Sequence, residues 1–264
     1  MPVEKARAVV IRAVPFGETS AVVTLHTREF GKLRALAKGA WRPKSAFDGA
    51  LDLLSVCQVL VLRKSGGGLD LVTEACLERR FRVATCLAAV YGGLYVAELL
   101  DALTADADPQ PELFDAADAT LARLSGHRGP AAAVWPRVVG FELSALHAAG
   151  QAPALVRCAE CGAEPPPAPR MSFGMLDGGL LCAACRRGRR AVVSVSAGAL
   201  AALRTLAPAR RRADAPDPDP ALEGEVRAVM NTLLAHVLGR RSRLGSRLVH
   251  PPARPRRTES PPAP

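Results

Sequence analysis

The chain has 264 residues, 49% of them hydrophobic and 23% charged, and a net charge of +10. That is enough for one to three domains with a real core, and no apolar run approaches the ~20 residues of a membrane span. Seven cysteines are too few for a disulfide scaffold at this length, and the start "MPVEKARAVVIRAV" lacks the apolar stretch of a secretory signal, so a cytoplasmic protein is expected.

The charge is unevenly spread. Residues 1–80 hold 13 Lys/Arg and 8 Asp/Glu, residues 81–150 hold 4 and 8, and residues 151–264 hold 18 and 9. Two basic ends thus surround an acidic middle. A basic segment on a soluble protein points to a polyanion, most often nucleic acid. Arginine supplies 30 of the 35 cations in a chain also rich in Ala and Pro, a bias that GC-rich coding alone produces, so the total charge decides little.

In chain order, residues 1–80 predict a small β-domain. "ARAVVIRAV" (6–14) and "SAVVTLHT" (20–27) are β-branched runs separated by "PFGET", a turn. "KLRALAKGA" (32–40) alternates basic and apolar residues, which predicts cations on one strand face and leucines on the other. "LDLLSVCQVLVLRK" (51–64) and, after the turn "SGGG", "LDLVTEACLE" (69–78) complete five strands. Five strands with short turns predict a closed barrel, of which the OB-fold is the common example.

Residues 81–250 predict a helical domain. "TCLAAVYGGLYVAELLDAL" (85–103) is apolar nearly all round and predicts a central buried helix, with Gly92 and Gly93 marking close approach of a neighbour. Further helices are predicted at 111–124, 132–150, 196–206 and 221–238. The segment "APARRRADAPDPDP" reads as a linker, and residues 251–264 as a disordered Pro/Arg-rich tail. The fold class expected is α+β: a five-stranded OB-fold barrel followed by an all-helical domain with an inserted four-cysteine, zinc-ribbon-like site at about 155–190.

That insertion is the strongest motif. Cys158, Cys161, Cys182 and Cys185 form C-x2-C-x20-C-x2-C, and two such turns facing each other complete a tetrahedron around zinc. Four thiolates leave no open position for water, so the expected zinc is structural. Two disulfides, disfavoured in the cytosol, reduced cysteines without metal and, more distantly, an iron–sulfur cluster are the other readings. Cys57, Cys76 and Cys86 read as small core residues. No catalytic constellation and no phosphate-binding GxxxxGK[ST] loop is present, so no enzyme is expected. A second notable stretch, "KLRALAKGAWRPKSAF" (32–47), predicts a mobile basic loop between barrel strands. There Lys38, Arg42 and Lys44 flank Trp41, a pattern suited to holding phosphates and stacking on bases.

These residues also carry a family resemblance. "PFGETSAVVTLHTREFGKLRALAKGAWRPKS" (15–45) resembles the N-terminal signature of the bacterial RecO family. "FELSALHAAGQAPALVRCAECGAE" (141–164), "LLCAAC" (180–185) and "LGRRSRLGSRLV" (238–249) resemble its later landmarks, in order. The resemblance implies an OB-fold, a helical domain, a zinc site and no bond-making chemistry. It implies binding of single- and double-stranded DNA and annealing of complementary strands. It also implies work with RecR and the C-terminal tail of the single-stranded DNA-binding protein SSB, so that RecA replaces SSB on gapped DNA, with RecF a further partner. Lys38, Arg42 and Lys44 match the family's basic loop, whereas Trp41 stands where a basic residue is more usual. The expected DNA-contacting residues are Lys32, Arg34, Lys38, Trp41, Arg42 and Lys44. "RRGRR" (186–190) and "RRSR" (240–243) are candidates for a second basic surface. A zinc-ribbon transcription or translation factor, and a zinc hydrolase or redox enzyme, are the competing readings.

Overall fold

The computed structural model describes residues 3–47, 49–64, 68–208 and 216–248. The expected tail (251–264), most of the "SGGG" turn and the centre of the predicted linker lie outside the described residues.

Five strands open the chain: β1 (Val3–Phe16), β2 (Ser20–Thr27), β3 (Gly31–Ala37), β4 (Val56–Leu62) and β5 (Asp70–Arg79). They pair in the order β1-β2-β3-β5-β4 and close through β1 and β4 into a barrel, with the β3–β5 contact parallel. Closure removes the unpaired edges of so small a sheet. Ala8, Val10, Val23, Leu25, Ala35, Val59 and Val61 fill the interior. β4 begins later than its apolar run, because residues 51–54 form a turn that ends on Leu54 at φ 65° and sends Leu51 into the core.

The outer face of β1–β2–β3 organises the molecule. A register shift between Val10 and Arg12 puts one extra residue into β1. Before the shift Ala6, Ala8 and Val10 face inward; after it Ala13 does, and Arg12, Val14 and Phe16 turn outward. A bulge re-aims every later side chain of its strand in this way. The lower part of this outer face is covered. Val9, His26 and Lys32 lie side by side across the three strands and all three are buried.

What covers them is a helical layer: α1 (Leu87–Leu103), α2 (Pro111–Leu124), α3 (Trp135–Ala148), α4 (Ala197–Leu206) and α5 (Glu223–Leu238). The predicted helices are all present, with ends within a few residues of those expected. Ser196 Oγ accepts from Ala199 N–H at the start of α4, and Gly239 at φ 65° ends α5. Gly93 lets α1 approach the barrel, since a Cβ there would stand 2.6 Å from Phe81 Cζ and 2.9 Å from Leu54 Cδ1. One core cluster runs from Val9 and Ile11 of the barrel through Tyr95, Phe114 and Phe141 to Leu203 and Met230. Inside it Arg227 donates to Glu142 at 2.6 Å, with side chains 1% and 0% exposed.

The second part of the chain is not all-helical, which corrects the expectation. β6 (Arg170–Gly174), β7 (Gly179–Leu181) and β8 (Val192–Ser196) form a three-stranded antiparallel sheet in the order β7-β6-β8. β6 and β7 form a hairpin between the two cysteine pairs. β8 was missed, although "VVSVS" carries the β-branched alternation of a strand. Its last residue is also the cap of α4, so the sheet is spliced directly into the helical layer.

His26 sits at the seam, its ring stacked on Phe114 at 6.2 Å between centroids, with no hydrogen-bond partner for either nitrogen. Burial, then repulsion from the Lys32 ammonium, lowers its pKa from 6.5 to about 4. Between those two values the unfolded chain holds a proton that the folded one refuses, so stability falls as pH falls through this window. His26→Leu should therefore lose less stability than the parent between about pH 7 and pH 5, by up to about 2 kcal/mol. Parallel losses in urea titrations at both pH values would show that His26 is not the source.

Candidate nucleic-acid interface and metal centre

Above the covered rows, the β1–β2–β3 face is open. Arg12, Thr24 and Arg34 form one row across the strands, and Val14, Val22 and Leu36 the next. Phe16 and Ser20, with Lys38 just beyond β3, make a third. The alternation predicted for β3 holds for its cations and for Leu33, and fails at Leu36. Leu33, Ala35 and Ala37 point inward, while Leu36 lies among the cations on the outer face.

The loop after β3 rises beside the third row. Hydrogen bonds to the β1–β2 turn and within the loop hold it in this arrangement. Gly39 N–H donates to Ser20 Oγ at 3.3 Å and Trp41 N–H to Thr19 O at 2.9 Å. Arg42 N–H returns to Gly39 O and Ser45 N–H to Arg42 O, two consecutive turns. Gly39 takes φ 71° and Lys44 takes φ 60°, left-handed angles that suit glycine and make Lys44 a strained position. Phe47 then plugs the barrel core. Hung between these anchors, Lys38, Trp41, Arg42 and Lys44 are all exposed.

The predicted site residues thus divide. Lys38, Arg42 and Lys44 form no ion pair among the described residues and lie together with Trp41. Arg34 is exposed but stands 3.7 Å from the Asp106 carboxylate. Lys32 is a different case. Its residue is 6% exposed, and Nζ donates to Asp101 O at 2.7 Å, with the Asp101 and Asp106 carboxylates at 3.6 and 3.7 Å. The helical layer covers Lys32, which removes it from the open face and makes it a tether between the two parts. Gly31 serves the same contact: a Cβ there would meet Asp108 O at 2.0 Å. Arg12 and Phe16 share the open face and were not predicted, because a plain period of two through β1 hides the bulge.

The acidic middle takes up further barrel cations, while Arg63 and Arg80 meet carboxylates of the barrel part itself. Arg7 and Arg79 both reach Asp118 of α2, and Arg28 forks onto Asp115. The two basic runs of the helical part sit in separate places. Arg189 pairs with Glu160 and Asp177 near the cysteines, whereas Glu98 of α1 takes Arg240, Ser242 and the N–H groups of Arg243 and Leu244.

The four cysteine sulfurs lie within 4.8 Å of one another, close to the ~3.8 Å separation that tetrahedral thiolates at ~2.3 Å from one ion require. Each pair has a knuckle turn: Gly162 N–H donates to Cys158 O at 2.9 Å, and Cys185 N–H to Cys182 Sγ at 3.4 Å. Cys182 N–H donates across to Cys158 Sγ at 3.4 Å. Burial opposes the Cys158 thiolate, but the backbone N–H groups of Cys161, Cys182 and Glu160 prevail and bring its pKa down to about 6. Thiolates already pointed at one centre and supported by N–H donors fit a metal ion. Of the other cysteines, Cys57 and Cys86 are buried as predicted, whereas Cys76 is exposed on β5.

Comparison with known proteins gives the family. The model "Recombination protein O N terminal" matches residues 1–81, and "Recombination protein O C terminal" matches residues 85–247. The chain belongs to the RecO family. It is 36% identical over 262 residues to the DNA repair protein RecO of Rhodopirellula baltica, covering 90% of this chain and 96% of the relative. It is also 36% identical to the RecO of Myxococcus xanthus, over 89% of this chain and 92% of the relative. The RecO of Anaeromyxobacter sp. strain K is 38% identical, with 90% and 92% covered. The join between the two RecO models, at residues 81–85, lies between β5 and α1.

Because Lys32 hydrogen-bonds the helical layer, Lys32→Met should destabilise the fold by about 1.5–3 kcal/mol and leave oligonucleotide affinity unchanged. Denaturant unfolding and a binding titration on the same variant separate these effects. Lost affinity at full stability would return Lys32 to the binding face.

Proposed function

We propose that the protein is a DNA-binding recombination mediator of DNA repair, whose activity is phosphate neutralisation by the open barrel face. One observation carries this: Lys38, Arg42 and Lys44 are exposed without an ion-pair partner among the described residues, on a barrel whose remaining cations largely meet carboxylates. In this reading the closed barrel is an OB-fold. Strand order 1-2-3-5-4, and a face built from β1–β3, support that assignment. Arg34, Lys38, Arg42 and Lys44 hold phosphates of single- or double-stranded DNA. Neutralising two complementary strands lowers the cost of bringing them together, and base pairing then supplies the specificity. No bond is made or broken by the protein, which acts as a cytoplasmic mediator and not an enzyme.

With RecR, and with RecF as a further partner, the protein would help RecA replace SSB on gapped DNA. An acidic, hydrophobic SSB tail needs an apolar groove with a basic rim. A cavity of about 350 Å³ between α3, residues 152–157 and α4 has that character, lined by Leu143, Pro153, Leu155 and Val156 with Arg157 and Arg204 beside them. The ion in the four-cysteine centre would be structural zinc, closing the turns that carry β6–β8; a filled shell of four thiolates leaves no place for substrate. No helix among the described residues is long and apolar enough to cross a membrane.

The decisive measurement is annealing of SSB-coated oligonucleotides, with and without RecR. Acceleration is expected, and a transcription factor would give none. Lys38→Glu with Arg42→Glu should weaken DNA binding and reduce the slope of log K against log salt by about one to two. An unchanged affinity and slope would reject the loop. Cys161→Ser with Cys185→Ser should remove one equivalent of zinc per chain by metal analysis and lower Tm. An enzyme-type site would instead lose a turnover activity with its fold intact.

A further inference from the structure

Phosphate neutralisation needs only cations, yet the middle of the open face is apolar and its upper end aromatic. Phe16 is 57% exposed and Trp41 46% exposed. Their neighbourhood is set by backbone: Phe16 stands opposite Ser20 at the end of the β1–β2 hairpin, Thr19 O accepts Trp41 N–H, and Ser20 Oγ accepts Gly39 N–H. Val14, Val22 and Leu36 form the row below them, with Val14 40% exposed. Cations frame this strip: Arg12 and Arg34 below, Lys38, Arg42 and Lys44 above. No carboxylate occupies the grid itself; Glu18 in the hairpin turn and Asp106 beside Arg34 adjoin it.

Such exposure has a cost. Two exposed aromatics and the exposed Val14 forgo burial that β1 without its bulge would have provided by keeping Phe16 and Val14 inward. A duplex cannot use the strip, because its bases are stacked inside and only phosphates and groove edges meet a protein. A single strand can, since every unpaired base has a π-face and the flanking cations follow its backbone.

We propose that Phe16 and Trp41 form a base-stacking platform that makes the barrel face selective for single-stranded over duplex nucleic acid. The inference rests on the binding face argued above and adds its specificity. Phosphates would be held along the two cationic margins while bases lie against the apolar strip. Phe16 and Trp41 would touch the ligand directly, and the Val10–Arg12 bulge would be what presents Phe16.

The test uses the full-length protein with three probes: an oligothymidylate of about 16 nucleotides, a blunt hairpin duplex, and an abasic oligomer of the same length as the first. Phe16→Ala and Trp41→Ala should each weaken oligothymidylate binding at least fivefold. Neither should change binding to the duplex or the abasic oligomer, or the salt slope on any probe. Trp41→Phe should restore most of the affinity, and Phe16→Leu, which keeps the apolar area but no ring, should not. Equal loss on all three probes, no loss on the oligothymidylate, or full rescue by Phe16→Leu would each overturn the platform. Failure of the underlying face looks different: Lys38→Glu with Arg42→Glu would then leave all three probes bound as before.

Discussion

A side-chain cation near a carboxylate has already found its counter-ion and has little left for a phosphate. The barrel and the helical layer are arranged around that competition. Asp101, Asp106, Asp115 and Asp118 meet Lys32, Arg34, Arg28, Arg7 and Arg79 along the seam. Exposed pairs of this kind contribute little stability each. Their larger effect is to decide which barrel cations remain available, and those are the ones the helices do not reach. The acidic middle of the chain is thus the complement of its own basic start.

The same sheet face serves both ends of this division. Down β3, Lys32 is sealed under the helical layer while Arg34 and Lys38 rise out of it. On β2, His26 is buried neutral beside Phe114 while Val22 and Ser20 lie on the open side. A buried histidine without a partner is a cost that only packing offsets, and Phe114 supplies that packing. Binding face and docking face are therefore continuous, so a ligand on the upper rows sits two to six residues from the contact that fixes the helices. The Arg227–Glu142 pair deeper in the core is of the other kind, fully desolvated, where removal of one partner strands a buried charge.

The cysteine unit stands apart from this arrangement. Its sheet leads straight into α4 through Ser196, so the geometry of the four thiols bears on the helical layer and not on the barrel. That separation is why the metal centre and the cationic face can be read as independent devices, one holding shape and the other meeting a polyanion.

Much of this was legible in the residues alone. The C-x2-C-x20-C-x2-C spacing announces a four-thiolate cluster, because ligand geometry is written into local turns. Five short strand-like runs separated by turns announce the barrel, and the 3.6-residue periodicity places all five helices to within a few residues, since these signals are local. The identities of the exposed face were not local. Whether Lys32 binds outward or inward depends on α1, some seventy residues away. Whether Phe16 and Arg12 face water depends on one extra residue in β1 that no alternation rule reveals. β8 escaped because five residues carry a weak pattern when their pairing partner lies across a hairpin. Composition and spacing determined the elements and the cysteine cluster; tertiary packing alone decided which charges are spent at the seam and which remain exposed, because a counter-ion is chosen by distance in space.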